Sequence, residues 1–414
     1  MTVEDLLQKI ETKEDLYTLL RQNKKKILKH RASSTNTFLA NPLHYALATC
    51  LGVVFGGNNK TLFGTIVHDA VDYYYTNRNN RIGLAIRSLV LKAIEENPKI
   101  QNPLEENELK LLIKRAVRVF KKYYKEIAVD NEVLASEEYL EVQVPVQNPE
   151  NEGKIIFAGT FDRLYRKNGL YILGDLKTSS MRIGAKGVEK NAELINFEQQ
   201  IKQLEQQIYS LNKDIKKFFN AKKNLEDIIE NLENEKIKCE DAKNNGRAFK
   251  AIENKVEKLK KDKLLWESNL QTLLASREGI KLINLHIQEL KEKMSPYKND
   301  YEEKVKESEL QECIKKHYLQ TCLYALMYQI EHGVRIDRAR IELLVTKEKS
   351  EEIQIFEWEL TDELFDKADS IYSGMIIPTL EAYLNGVEPS LLFRPNPFTY
   401  FGSETIDLLE KLSA

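Results

Sequence analysis

Cysteine is scarce in this 414-residue chain and has no pattern. Cys50, Cys239, Cys313 and Cys322 form no Cys-x-x-Cys pair. That spacing argues against a disulfide framework and against a zinc site, and it fits a reducing, cytoplasmic compartment. Long apolar runs are missing too, so no membrane-spanning segment is expected. The opening Met1-Thr2-Val3-Glu4-Asp5 is acidic and lacks the apolar core of a secretory signal. Charge of one sign is also lacking. A formal net charge of −2 gives no global basic surface, so any contact with nucleic acid has to be local. No Gly-x-x-x-x-Gly-Lys-Ser/Thr loop occurs, which argues against a nucleotide-hydrolysing ATPase.

Charged residues, by contrast, are abundant at 30%, beside 42% hydrophobic residues, and the length allows a sizeable core and more than one unit. Residues 1–32 form an N-terminal segment with a helical stripe of Leu6, Leu7, Ile10, Leu16, Leu19 and Leu20. It ends in a basic run containing Lys24, Lys25, Lys26, Lys29 and Arg31. Helix-capping residues Ser33 to Thr37 follow. Gly64 to Val71 opens a further helix that carries His68. Two amphipathic helices are expected over 84–128, the second bearing Lys114, Arg115, Arg118, Lys121, Lys122 and Lys125. That face is either solvated or turned to phosphates.

The period then changes from helical to alternating. Glu138–Val146, Ile155–Tyr165 and Leu170–Ser179 read as three strands of an antiparallel meander, the last two joined by Lys167-Asn168-Gly169. Asp175 and Lys177 stand two apart at the end of the third strand, so their side chains share a face. Asp162 lies on the preceding strand, and antiparallel neighbours can bring two such carboxylates together. Glu138 and Glu141 are further carboxylates between which the sequence does not choose.

From about 188 to 309 glycine is rare and proline is absent until Pro296. Ile201, Leu204, Ile208, Leu211, Ile215 and Phe218 repeat in steps of three and four. So do Leu225, Ile229 and Leu232, and later Ile280, Ile283, Ile287, Leu290 and Met294. These are heptads of an antiparallel coiled-coil hairpin, with a tip expected at Lys243–Arg247 and arms of about 75 Å at 1.5 Å per residue. One continuous helix is the competing geometry, but it would leave the ends of the insertion far apart. Beyond it, Lys315–Leu326 is a helix with Gln320 and Tyr324 on one face. Strands over 338–345 and 352–358 and a helix from Thr361 to about Tyr383 come next, then an extended Phe393–Phe398 segment and a short final helix.

Taken in order, Gly64-x-x-x-His68, Gly159-x-x-Asp162, Asp175-x-Lys177 and Gln320-x-x-x-Tyr324 resemble the motifs of the RecB-like branch of the PD-(D/E)XK nuclease superfamily, which includes CRISPR adaptation nucleases and phage exonucleases. Ser34-Thr35-x-Thr37-Phe38-x-x-Asn41-Pro42 is similar to that family's opening helix motif, and Arg394-Pro395-Asn396-Pro397 to its closing segment. The resemblance implies an α/β restriction-endonuclease-like core, a mixed sheet flanked by helices. It covers about 33–187 and 310–402, and the nuclease core it implies runs over 33–187 and 310–414, interrupted by the hairpin at 188–309. It further implies a metal-dependent DNA nuclease, an exonuclease rather than a site-specific endonuclease. His68, Asp162, Asp175 and the Leu176 carbonyl would hold Mg²⁺ or Mn²⁺. Lys177 would orient or deprotonate the attacking water, and Gln320 and Tyr324 would hold the strand or buttress the site. Many members carry an iron–sulfur cluster on four cysteines. Here Asn41 stands at the first of those positions and no cysteine follows Cys322, so no cluster is expected; packing around Phe398, Tyr400 and Phe401 would take over its role. DNA is the implied partner, with a protein partner or self-association assigned to the coiled coil. The competing reading is a catalytically silent scaffold that bridges partners through the hairpin; the intact His, Asp, Asp and Lys weigh against it.

Overall fold

A computed structural model describes the chain apart from residues 24–25, 56–58, 78–81, 97–104, 129–131, 147–152, 245–249, 347–350, 397, 399–402 and 414. Two compact units emerge, one formed by 1–184 with 309–414 and the other by 185–308.

The first unit is built on a mixed six-stranded sheet: β1 (Ile27–Arg31), β2 (Glu132–Val144), β3 (Lys154–Lys167), β4 (Leu170–Ser179), β5 (Arg338–Thr346) and β6 (Glu351–Glu359). The meander is present. Asn168 and Gly169, with φ of 52° and 81°, both occupy the left-handed region that the tight β3–β4 turn needs. After β4 the chain returns in parallel as β5, with Asp175 opposite Ile341, and β6 closes the edge antiparallel. The N-terminal segment departs from its helical reading. It forms α1 (Val3–Leu7) and α2 (Lys13–Gln22), each opened by a Thr/Asp capping box, and then turns into β1, parallel to β3. Leu28 and His30 alternate inward along that strand, a period of two hidden by the lysines around it.

Helices cover both faces of the sheet. On one side lie α3 (Thr35–Ala40), α4 (Pro42–Thr49), the C-terminal part of α9 (Lys250–His332), α10 (Asp362–Ile371) and α11 (Ile377–Leu384). On the other, α5 (Asn59–Asn77), α6 (Ile82–Glu96) and α7 (Glu106–Tyr123) bury Leu176 and Leu344. The cations of α7 are partly spent on this packing. Arg115 donates to the Thr346 carbonyl at 2.9 Å, Lys122 to the Glu351 carbonyl at 2.7 Å, and Arg118 pairs with Glu351. These three serve the fold rather than a phosphate-facing surface. In the N-terminal run Lys29 pairs with Glu141 at 2.9 Å, while Lys24 and Lys25 lie outside the described residues.

The C-terminal segment is secured differently from the expected aromatic packing. Phe398 is 96% exposed, and Tyr400 and Phe401 lie outside the described residues. Buried Phe393 does the anchoring instead: its carbonyl accepts from the Tyr17 hydroxyl at 3.2 Å and its ring meets Tyr383 edge-on. Asn396 donates to the Ala40 carbonyl at 2.9 Å, tying α3 to this segment. The short α12 (Pro389–Leu392) and α13 (Ser403–Ser413) end the chain.

His30 is fully buried between the Tyr45 hydroxyl at 2.9 Å and the Thr35 hydroxyl at 3.0 Å. Burial pushes its pKa down to about 3. The unfolded chain therefore takes up a proton near pH 6.5 that the folded chain refuses, so this contribution is full above that pH and is lost as pH falls. Between pH 7 and 5 it should cost about 2 kcal/mol. Urea midpoints at the two pH values, for wild type and His30→Gln, check this: the variant should show the smaller pH dependence.

The second unit is the hairpin. Its arms are α8 (Ala192–Asn244) and the N-terminal part of α9, with Ile201, Ile287 and Leu290 buried between them and Phe197, Leu204, Ile208, Ile283 and Met294 packed around. Glu235 of α8, 8% exposed, is held by Lys238 at 3.0 Å and by Lys255 of the opposite arm at 2.9 Å, which pins the register of an antiparallel pair. The ends of the insertion meet, since Lys186 N–H donates to the Ser308 hydroxyl at 3.0 Å. The continuous-helix geometry is thereby excluded; the tip, 245–249, is outside the described residues. Among the described residues no helix is long and apolar enough to cross a membrane.

Candidate active site

The site arises from how β3 is shared. One edge of β3 pairs with β2 along its length. The other pairs with β1 over 154–158 and with β4 over 163–167, leaving 159–162 without a ladder partner on that edge. Side-chain alternation also breaks there. Phe161 meets Tyr328 of α9 on one side of the sheet, whereas Arg163 lies over the Tyr123 ring of α7 on the other, although residues two apart in a regular strand share a face. Asp162 sits at this break. Its Oδ2 accepts a short hydrogen bond from the Leu176 N–H, bridging the point where β4 diverges.

Register brings three carboxylates into line. Arg163, paired with Gly174, is the last β3 residue of the ladder to β4, so Asp162 and Asp175 are the positions immediately beyond its end. On the other edge Ser136 pairs with Arg163 and Glu138 with Phe161, which puts Glu137 opposite Asp162. Glu137 has φ of +50°, a left-handed conformation unfavourable for a residue with a Cβ. It marks the same break on β2.

His68, in the middle of α5, points its Nδ1 at Asp162 Oδ2 (3.5 Å) and Glu137 Oε1 (3.9 Å). Ligand atoms from His68, Glu137 and Asp162 all lie within 4.8 Å of one another. Ligands at about 2.1 Å from one octahedral ion stand about 3–4 Å apart, so one imidazole and two carboxylates at these separations fit a hard divalent cation. Burial would lower the His68 pKa, but the charge of Asp162 and the nearby Glu137 carboxylate prevail and raise it.

Asp175 and Lys177 form the adjoining half. Lys177 Nζ donates to Asp175 Oδ1 at 2.9 Å and lies 2.8 Å from Oδ2, which has no hydrogen bond of its own among the described residues. Burial works to lower the Lys177 pKa, but Asp175 and Asp162 outweigh it and hold the group charged. Gln320 Nε2 reaches Asp175 Oδ1 at 3.3 Å. Tyr324, buried one turn on, has its pKa raised by burial and by both aspartates.

The structure thus brings His68 to Asp162 and Glu137, and Lys177 and Gln320 to Asp175. Glu137 was not among the residues chosen from sequence. Of the two carboxylates considered there, Glu138 is engaged by His332 at 2.8 Å, and Glu141 by Lys29 at 2.9 Å and the Tyr139 hydroxyl at 2.6 Å. Pairing the strands through Asp162 would have found Glu137.

Glycines make room for this arrangement. A Cβ on Gly159 would lie 2.7 Å from Tyr324 Cε1 and 2.9 Å from its hydroxyl. Gly159→Ala should therefore cost about 1–3 kcal/mol and displace Tyr324. Thermal unfolding checks the first effect, and recovery in Gly159→Ala/Tyr324→Leu would identify that ring as the cause.

A family model described as the PD-(D/E)XK nuclease superfamily matches residues 32–244. No curated protein and no solved structure matches the chain.

Proposed function

The chain belongs to the PD-(D/E)XK nuclease superfamily, and from that premise we propose that it is a cytoplasmic, metal-dependent deoxyribonuclease of the RecB-like branch, acting as an exonuclease. The observation that carries the hydrolytic reading is the cluster of His68, Glu137 and Asp162 beside the Asp175–Lys177 pair. The branch and the exonuclease mode rest on the order of the motifs along the chain. Residues 33–187 and 310–414 would supply the catalytic unit, and the hairpin at 188–309 a contact for a protein partner or a second copy.

His68, Glu137, Asp162 and Asp175, with the Leu176 carbonyl, would hold Mg²⁺ or Mn²⁺. When bound, such an ion lowers the pKa of water and offsets phosphate charge. The chain's own groups do the rest. Lys177, kept as an ammonium by Asp175 and Asp162, presents positive charge where the pentavalent phosphorus gains negative charge, and it can donate a hydrogen bond to orient the attacking water. In this reading it acts through its charge rather than as a base. Gln320 fixes the Asp175 carboxylate through Oδ1, and Tyr324 fills the space that Gly159 leaves beside β3.

The test is a purified-protein assay on linear single- and double-stranded DNA with Mg²⁺ or Mn²⁺. Release of mononucleotides or short fragments from ends is expected, and covalently closed circles should resist. An inert wild type across substrates and metals would turn the reading toward a scaffold.

A further inference from the structure

Tyr324 and Gln320 leave one member of their helix face unexplained. At 100° per residue, positions 317, 320 and 324 fall within about 60° of one another on α9. His317 therefore projects from the same face, one turn before Gln320. Gln320 reaches Asp175, and Tyr324 lies under Gly159, so the face follows the site from Asp162 toward Asp175 and Lys177. The His317 ring is half-buried and close enough to feel both Asp175 and Lys177. Among the described residues no group hydrogen-bonds to either ring nitrogen; only its backbone carbonyl is engaged, by the Thr321 hydroxyl at 3.1 Å. A structural histidine in this same protein looks different: His30 is fully buried, with both ring nitrogens engaged by hydroxyls.

We propose that His317 is a substrate-contacting residue, donating a hydrogen bond from its ring N–H to a phosphate oxygen of the nucleic-acid strand next to the one being cleaved. The assignment rests on the nuclease reading above and goes beyond it in naming a further contact. Lys177 and Gln320 both donate to Asp175, whereas neither ring nitrogen of His317 has a partner among the described residues. Burial, with Lys177 and Lys316 nearby, holds the ring's pKa at about 4, so near neutral pH it offers one N–H and carries no charge. A neutral donor positions a phosphate without releasing a counterion.

Two measurements test this on the full-length protein. In EDTA, equilibrium binding of a fluorescently labelled DNA strand is compared between wild type, His317→Ala and His317→Asn. His317→Ala should bind about ten-fold more weakly with the salt slope unchanged, and His317→Asn, whose amide can donate, should recover most of that loss. In turnover with Mn²⁺, KM should rise by about the same factor while kcat stays within about two-fold. Unaltered binding and KM in a folded His317→Ala protein would overturn the proposal, as would a fall in kcat with binding unmoved. A wild type that binds DNA and cuts nothing would instead sink the nuclease reading, leaving the His317 contact to be judged on binding alone.

Discussion

Lys177→Ala is expected to lower kcat for DNA hydrolysis by about a thousand-fold while KM changes by no more than about three-fold. The asymmetry follows from where the charge is needed. Lys177 Nζ lies 2.8–2.9 Å from both oxygens of Asp175, so in the resting protein its charge is spent on a carboxylate. As phosphorus becomes five-coordinate, negative charge grows on its oxygens, and an ammonium already in place is worth more there than in the ground state. Lys177→Arg should recover little, because a planar, larger guanidinium does not replace a point charge seated against Asp175. Single-turnover rates with excess enzyme, set against binding measured in EDTA, separate the two parameters. Equal activity in wild type and Lys177→Ala would show that the site is misassigned.

The second large effect concerns stability. Arg163 and Glu342 are both fully buried behind the site. Arg163 Nη2 lies 3.3 Å from Glu342, its Nε donates to the Tyr165 hydroxyl at 2.9 Å, and that hydroxyl donates to Glu342 at 2.8 Å. Arg340 approaches the same carboxylate at 3.0 Å. Gly174 lets the Tyr165 ring reach this position, since a Cβ there would stand 2.4 Å from its Cε2. Arg163→Met leaves a buried carboxylate short of a cation, and breaking such a pair typically costs about 3–5 kcal/mol, here roughly 6–15 °C in the melting of the sheet-bearing unit. Neutralising the other partner as well should restore about half of that, so Arg163→Met/Glu342→Gln ought to melt above Arg163→Met alone. Calorimetry resolves this, provided the hairpin's own transition is separated, because a two-unit chain need not melt in one step. A shift below about 2 °C for Arg163→Met would show that Arg340 alone satisfies Glu342.

Legibility from sequence followed local periodicity. The coiled coil was readable because its apolar seam repeats over many turns, and the β3–β4 turn because Asn168-Gly169 carries its own conformational signal. Where a signal was broken, reading failed. Strand β1 is five residues long and carries only two inward side chains beside a run of lysines, so its period of two was outweighed by the helical stripe before it. Glu137 was missed for a related reason. It sits where β2 leaves the regular strand conformation, and alternation counted along one strand says nothing about such a position. Its place opposite Asp162 is a property of two strands. Asp162, Asp175 and Lys177 were chosen for the order of their motifs, and the structure pairs Lys177 with Asp175 and joins Asp162 to Leu176, although the crowded contact between Gly159 and Tyr324 is a matter of ångströms that no pattern encodes.

The parallel pairing of β4 with β5 has a consequence for how the protein is born. His68, Glu137, Asp162, Asp175 and Lys177 have all left the ribosome while β5 is still about 160 residues away. At ordinary elongation rates that is a wait of roughly 10–30 s, during which Leu170–Leu176 offers an apolar strand with one edge unsatisfied. Gln320 and Tyr324 arrive late in the same interval. The nascent chain thus carries these side chains through about 160 residues of synthesis without the strand that seats them, and they come together only once β5 has emerged.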